Sequence, residues 1–203
     1  MKPDQERHYA ISAIVLAAGN STRFGPDNKL SASISSRTIL TQSCEVLLQS
    51  SIDDIIVVLG IDVDHASVLP SDLRSVINNN PSEGIASSII AGVKACPENC
   101  DGIMIYLADM PFIHPDTIDK LITAFHRSNG EKIIIPQFFN QRGHPVIFPI
   151  NFKSKLMQLT GDTGARKIIE AHKKDCAFVT VNDEGVIRDI DTQEELKNSL
   201  RGI

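Results

Sequence analysis

The chain contains no apolar run near the roughly 20 residues that a membrane helix requires. Its polar start, Met1 to Tyr9, is not followed by a signal-peptide core and cleavage site. A cytoplasmic protein without a membrane partner is therefore expected. Cysteine is sparse: Cys44, Cys96, Cys100 and Cys176 form no CxxC pair. Reduced thiols, partly in the core, fit this usage better than a disulfide framework. Cys96 and Cys100, with Pro97 between them, give only a faint metal or redox signal. Repeats, low-complexity tracts and long linkers are absent. So are GxGxxG and GxxxxGK[ST], which disfavours a dinucleotide-binding oxidoreductase and a Walker-loop NTPase. There is no excess of basic charge either: 20 Lys and Arg face 25 Asp and Glu, a net charge of -5. A nucleic-acid partner is disfavoured on that ground.

What is present reads as one α/β domain. The 203 residues suffice to bury a core without staples, and 42% hydrophobic with 22% charged residues is ordinary for a globular chain. Short apolar, β-branched runs predict strands over 11–16, 54–60, 75–78, 102–107, 132–136 and 177–181. Helices are predicted over 38–49, 84–95, from His114-Pro115 to 127, and over 162–173 with Asp162 as N-cap. A hairpin is expected across 138–148 around Gly143. Thr192 and Glu195 have capping-box spacing and open a terminal helix. Alternation of this kind implies a single Rossmann-like, three-layer domain with a mostly parallel mixed sheet and helices on both faces. The domain is expected to span 11–203, after an unordered start over 1–10.

In such a sheet ligands bind at the carboxyl ends of the strands, which singles out the loops after Leu16, Asn78 and Leu107. The first, LAAGNSTRFGPDNKL, runs from Leu16 to Leu30. Ala17, Ala18 and Gly19 leave room for a flat group against the backbone. Ser21 and Thr22 add hydroxyls, and Arg23 and Lys29 place two cations where a polyphosphate can be gripped. Asp109 follows a buried strand, and a hard carboxylate there suits Mg²⁺. The histidines at 8, 65, 114, 126 and 172 show no metal spacing.

LAAG-x-S-x-R-x-G followed by a lysine resembles the signature loop of nucleotidyltransferases that activate a phosphate with a nucleoside triphosphate. NNNPSEGIASSIIAG at 78–92, LADMP at 107–111, RGHPVIF at 142–148, GDTGAR at 161–166 and DIDT at 189–192 follow in the family's order. The similarity is greatest to the molybdenum cofactor cytidylyltransferase branch. The resemblance implies transfer of CMP from CTP to the phosphate of molybdopterin, with release of pyrophosphate. It implies Mg²⁺, or Mn²⁺, held by Asp109 and Asp191, with Asp189 as the fallback. Arg23 and Lys29 would act with Asp109 in catalysis, and Leu16, Ala17, Ala18, Gly19, Asn79, Gly84, Ser87 and Ser88 would join Arg23 and Lys29 around the nucleotide. Arg142, Gly143, His144, Gly164 and Arg166 would face the pterin substrate. The loop between Gly25 and Lys29 is a residue longer than the family's common form. A molybdoenzyme of the xanthine dehydrogenase type would receive the product, and a monomer is the default.

Three alternatives remain at this point. The guanylyltransferase branch usually has LAGG where this chain has Ala18, a difference of one methyl worth about 1–3 kcal/mol in discrimination. A cytidylyltransferase for a sugar or polyol phosphate fits the first loop but not the later motifs. A non-catalytic carrier of the finished cofactor would not need the metal carboxylates.

Overall fold

The computed structural model describes residues 7–19, 24, 29–34, 36–61, 69 and 73–200. In chain order the elements are β1 (Ile11–Ala17), β2 (Ser33–Ile34), β3 (Arg37–Thr38), α1 (Ile39–Leu48), β4 (Asp54–Gly60), β5 (Arg74–Asn78), α2 (Ile85–Ala95), β6 (Gly102–Leu107) and α3 (Pro115–Arg127). There follow β7 (Ile133–Phe138), β8 (Gln141–Arg142), β9 (Val146–Pro149), α4 (Lys153–Leu156), α5 (Arg166–Ala171), β10 (Cys176–Thr180) and α6 (Gln193–Leu200). No helix among the described residues is long and apolar enough to cross a membrane.

The main sheet has the order β10-β7-β9-β6-β1-β4-β5, with β8 paired to β7. β1 lies parallel between β4 and β6, and β4 is parallel to β5. β9 runs antiparallel to β6 and β7, and β10 is parallel to β7. The expected mixed, mostly parallel sheet is therefore present. Its central strands are buried on both faces, and the pleat sends alternate residues to different layers. Ala13, Val15 and Val57 pack under α1 and α3, with Leu40, Leu47, Leu121 and Phe125. Ile14, Ile56 and Val58 pack under α2, with Ile89 and Val93. Two apolar layers on one sheet give the three-layer architecture.

Local chemistry sets the helix starts. Thr38 caps α1 by accepting from Thr41 N at 3.1 Å. At α6, Glu195 N donates to Thr192 Oγ1 while Thr192 N donates back to Glu195 Oε2, the reciprocal box that the spacing predicts. Asp183 accepts from His114 N and Thr117 Oγ1 and so caps α3.

Three expectations change. The turn after β7 is made by Phe139 and Asn140, both at positive φ, and not by Gly143. Gly143 is needed elsewhere, because a Cβ there would stand 2.2 Å from the Val186 carbonyl oxygen. The predicted helix over 162–173 is shorter, and Asp162 does not cap it: its Oδ1 accepts from Ile85 N at 3.2 Å and caps α2. Residues 7–10 of the expected unordered start are docked. Arg7 pairs with Asp101, Ala10 N donates to Asp101 Oδ2, and the Tyr9 ring packs edge-on against Phe125.

Candidate active site

The loop after β6 is braced from three sides. Tyr106 donates its hydroxyl to Met110 O at 2.9 Å, Ser43 donates to Ala108 O at 2.8 Å, and Ile190 N donates to Asp109 O at 3.0 Å. The last bond fastens DIDT to LADMP and brings their carboxylates together. Oxygens of Asp109, Asp189 and Asp191 all lie within 4.8 Å of one another. Lys29 enters this cluster with its side chain 11% exposed, and its Nζ donates to Asp109 Oδ2 at 2.8 Å and Asp191 Oδ1 at 3.0 Å. Burial alone lowers the lysine pKa, but the two carboxylates outweigh it and the pKa is raised. The Asp189 carboxyl is raised too, by burial first and then by the charges of Asp109 and Asp191. Asp109 Oδ1 is closed off from solvent without a partner among the described residues. An orphaned carboxylate oxygen beside two further hard donors suits a divalent cation of the Mg²⁺ or Mn²⁺ type.

Near the end of β1 the Leu16 carbonyl accepts from Ala108 N at 3.2 Å, so β1 and β6 end side by side. Ala17 and Ala18 are buried and Gly19 is exposed. A Cβ added at Gly19 would meet nothing within 4 Å among the described residues. Packing against those residues therefore does not require glycine there. Arg23, Ser21 and Thr22 lie outside the described residues.

Beyond β5, Asn78 organises the entry to α2. Its Nδ2 donates to Ser87 Oγ and Ser88 Oγ, and its Oδ1 accepts from Asn80 N. Ser87 in turn donates to Gly84 O at 2.8 Å. The two serines thus belong to an internal network, whereas Asn79 is exposed. Gly84 has φ +88, and a Cβ on it would stand 2.4 Å from Asp162 Oδ1. Ala86 N donates to Gly161 O at 3.1 Å. The NNNPSEG and GDTGAR segments are clasped here, backbone to backbone.

A cleft of about 830 Å³ opens beside the clasp. Arg142, Gly143, His144, Gly164 and Arg166 all line it, so five residues taken from two separate motifs share one cavity. Its floor is apolar, with Ile85, Ile105, Leu107, Ile135, Val146 and Phe148, and Glu170 and Lys173 stand at its walls. Arg166 is exposed and paired with Glu170 at 2.7 Å. The Arg142 guanidinium lies 5.3 Å from the centroid of Phe178. His144 Nδ1 is buried and unpartnered among the described residues, and burial lowers the histidine pKa. Residues 132–174 carry eight Lys and Arg but two Asp and Glu, within a chain of net charge -5. The cleft lining itself carries Arg142, Arg166 and Lys173 against Asp162 and Glu170.

Several supporting residues gave no signal in the sequence. Ser43 and Tyr106 look like ordinary core positions. Asp183 sits in an Asn-Asp-Glu-Gly turn that hides its role under α3. The cysteines are free, and Cys96 and Cys100 are buried, donating to Gly92 O and Gly102 O.

Fold and site together define a nucleotidyltransferase-type α/β domain, with an acidic centre at the carboxyl ends of its central strands. Residues 13–176 match the MobA-like NTP transferase domain, and the chain belongs to that family. Among its relatives, nicotine blue oxidoreductase of Paenarthrobacter nicotinovorans is 25% identical over 94% of this chain and 96% of its own length. Purine catabolism protein PucB of Bacillus subtilis is 29% identical over 91% and 93%. A probable molybdenum cofactor guanylyltransferase of Methanosarcina acetivorans is 24% identical over 95% and 86%. Among solved structures, Rv0371c of Mycobacterium tuberculosis superposes with a TM-score of 0.85 at 23% identity, covering 96% of this chain and all of that one. Its manganese complex superposes at 0.80 with 22% identity, again over 96% of this chain and all of that one. The relatives' names span several reactions, so membership fixes the fold and the class but not the substrate.

Proposed function

We propose that the protein transfers CMP from CTP to the terminal phosphate of molybdopterin and releases pyrophosphate. The observation that carries this reading is the juxtaposition of two unlike halves. The Lys29–Asp109–Asp189–Asp191 cluster suits a metal-bound triphosphate. The neighbouring cleft, apolar below and basic at its mouth, suits a flat ring system bearing a phosphate. The bond from Ala108 N to Leu16 O holds the end of β1 beside the segment that bears Asp109, which supports this reading.

Asp109 and Asp191, with Asp189 in reserve, would hold Mg²⁺ or Mn²⁺; such an ion neutralises charge on the triphosphate and helps align it. The chain's own residues do the rest. Gly19 leaves the backbone open to a ligand at a place where packing against the described residues does not require glycine. Arg23 and Lys29 counter the charge that builds on the departing pyrophosphate. Arg142 and Arg166 offer planar donors to the acceptor phosphate, and His144 presents a ring nitrogen to the pterin. The attacking phosphate is already anionic at neutral pH, so positioning and charge neutralisation carry the rate and no general base is assigned. Asn79, Gly84, Ser87 and Ser88 shape the nucleotide wall, the serines through their network with Asn78. In this reading the protein acts as a monomer in the cytoplasm and passes its product to a molybdoenzyme of the xanthine dehydrogenase type.

A guanylyl reading is favoured by the names of two relatives and opposed by Ala18, whose methyl would take up space beside the base. Pyrophosphate release with molybdopterin and Mg²⁺, compared for CTP, GTP and ATP, tests the proposal. Release with CTP alone is expected. Release with GTP alone would move the protein to the guanylyl branch. No release despite tight cofactor binding would favour a carrier.

A further inference from the structure

We infer that Lys29 is a stand-in cation, which occupies the carboxylate centre when no metal is there and makes metal binding depend on a triphosphate. This deepens the proposed function, and rests on it only in taking the carboxylates as a cation site.

Three acidic side chains within 4.8 Å of one another repel strongly unless a positive charge lies among them. Lys29 supplies that charge. Its Nζ bonds the two residues to which the metal is assigned, at 2.8 and 3.0 Å, and its stem is buried. A divalent ion taking Asp109 Oδ2 and Asp191 Oδ1 would lie within a few ångströms of the ammonium. Metal and ammonium compete for the same two oxygens, and their repulsion at that distance weakens the binding of each. An ammonium driven off its carboxylates and left part-buried without a counter-ion is costly. A free metal ion therefore meets a standing competitor. A triphosphate changes the balance because its oxygens accept the displaced ammonium, and metal and lysine then both have anionic partners. Metal and nucleotide accordingly enter together, and the empty protein holds free metal weakly.

The test is Mn²⁺ binding without nucleotide, read from the electron paramagnetic resonance of free Mn²⁺. Lys29→Met should bind Mn²⁺ at least tenfold more tightly than the wild type, and Lys29→Arg should bind as weakly as the wild type. Asp191→Asn placed in the Lys29→Met background should abolish the gain and so locate it. Equal or weaker binding by a folded Lys29→Met protein overturns the inference. If that variant does not fold, the wild type decides. Acetic anhydride labelling followed by peptide mapping should show Lys29 acetylated several-fold faster at saturating Mn²⁺ than in its absence. Adding α,β-methylene-CTP to the Mn²⁺-loaded protein should restore protection. Labelling of Lys29 that ignores Mn²⁺ overturns the inference. The Mn²⁺ titration and the first labelling comparison contain no nucleotide, so they succeed or fail independently of pyrophosphate release.

Discussion

Strands β1, β4 and β6 are sealed on both faces along nearly their whole length, whereas β8 is exposed throughout and β10 is only partly covered. The sealed half carries the loops with the acidic centre on a platform that two apolar layers hold in place. The open half carries the cleft's charged side, where Arg166 pairs with Glu170 and the Arg142 guanidinium lies over the Phe178 ring. In the proposed function, positioning for chemistry falls to the buried strands, and recognition largely to side chains on the less covered part of the sheet.

Five substitutions probe that division, the largest effect first. Asp109→Asn should lower pyrophosphate release by about 10²–10³-fold, the loss typical when one transition-state electrostatic contact is removed. A loss under threefold would mean that the sealed half does not govern the chemistry. Gly84→Ala should cost about 1–3 kcal/mol, because its Cβ would meet Asp162 where backbone clasps backbone. Each kcal/mol lowers the melting temperature of a domain this size by about 2–4 °C. Gly19→Ala makes the contrast: its stability should stay within about 0.5 kcal/mol of the wild type, while KM for the nucleotide rises. Should both glycine variants melt alike, the clasp is not a structural joint.

Arg142→Ala should raise KM for the acceptor by roughly tenfold with little change in kcat, as expected for a solvent-screened charged hydrogen bond. A fall in kcat instead would place Arg142 at the reacting phosphate. The smallest effect concerns acid. Burial holds the His144 pKa below its ordinary value of 6.5. As pH falls, the unfolded chain takes up this proton first. The stability that depends on neutral His144 is complete above pH 6.5 and is lost as pH drops from there to the folded-state pKa. His144→Gln should flatten the melting temperature between pH 7 and 5; a slope like that of the wild type would assign the acid loss to other groups.

The same division explains what the sequence revealed. The strands at 54–60 and 102–107 are found where predicted, because β-branched runs buried on both faces leave an unambiguous local pattern. The Thr192–Glu195 pair acts as the capping box its spacing implies, since capping is local. The misplaced hairpin turn has a different origin. Gly143 looks like a turn residue, yet it is glycine because Val186 approaches it, and Phe139 takes the positive φ that the pattern reserves for glycine. Asp162 reads as a cap for its own helix but serves α2, 77 residues away in sequence. Of the site, the carboxylates and cleft arginines were legible from motif order. Ser43, Tyr106 and Asp183 were not, since each acts on a segment far away in the chain.

The uneven charge also bears on how ligands arrive. A net charge of -5 repels a phosphate-bearing ligand at low ionic strength, and beyond a Debye length of about 8 Å at physiological salt that repulsion is largely screened. At the cleft Arg142, Arg166 and Lys173 outnumber Asp162 and Glu170, so an anion close to that opening meets less repulsion than the rest of the surface presents. Added salt then acts on the approach of the ligand, by screening both contributions, without altering any contact in the bound complex.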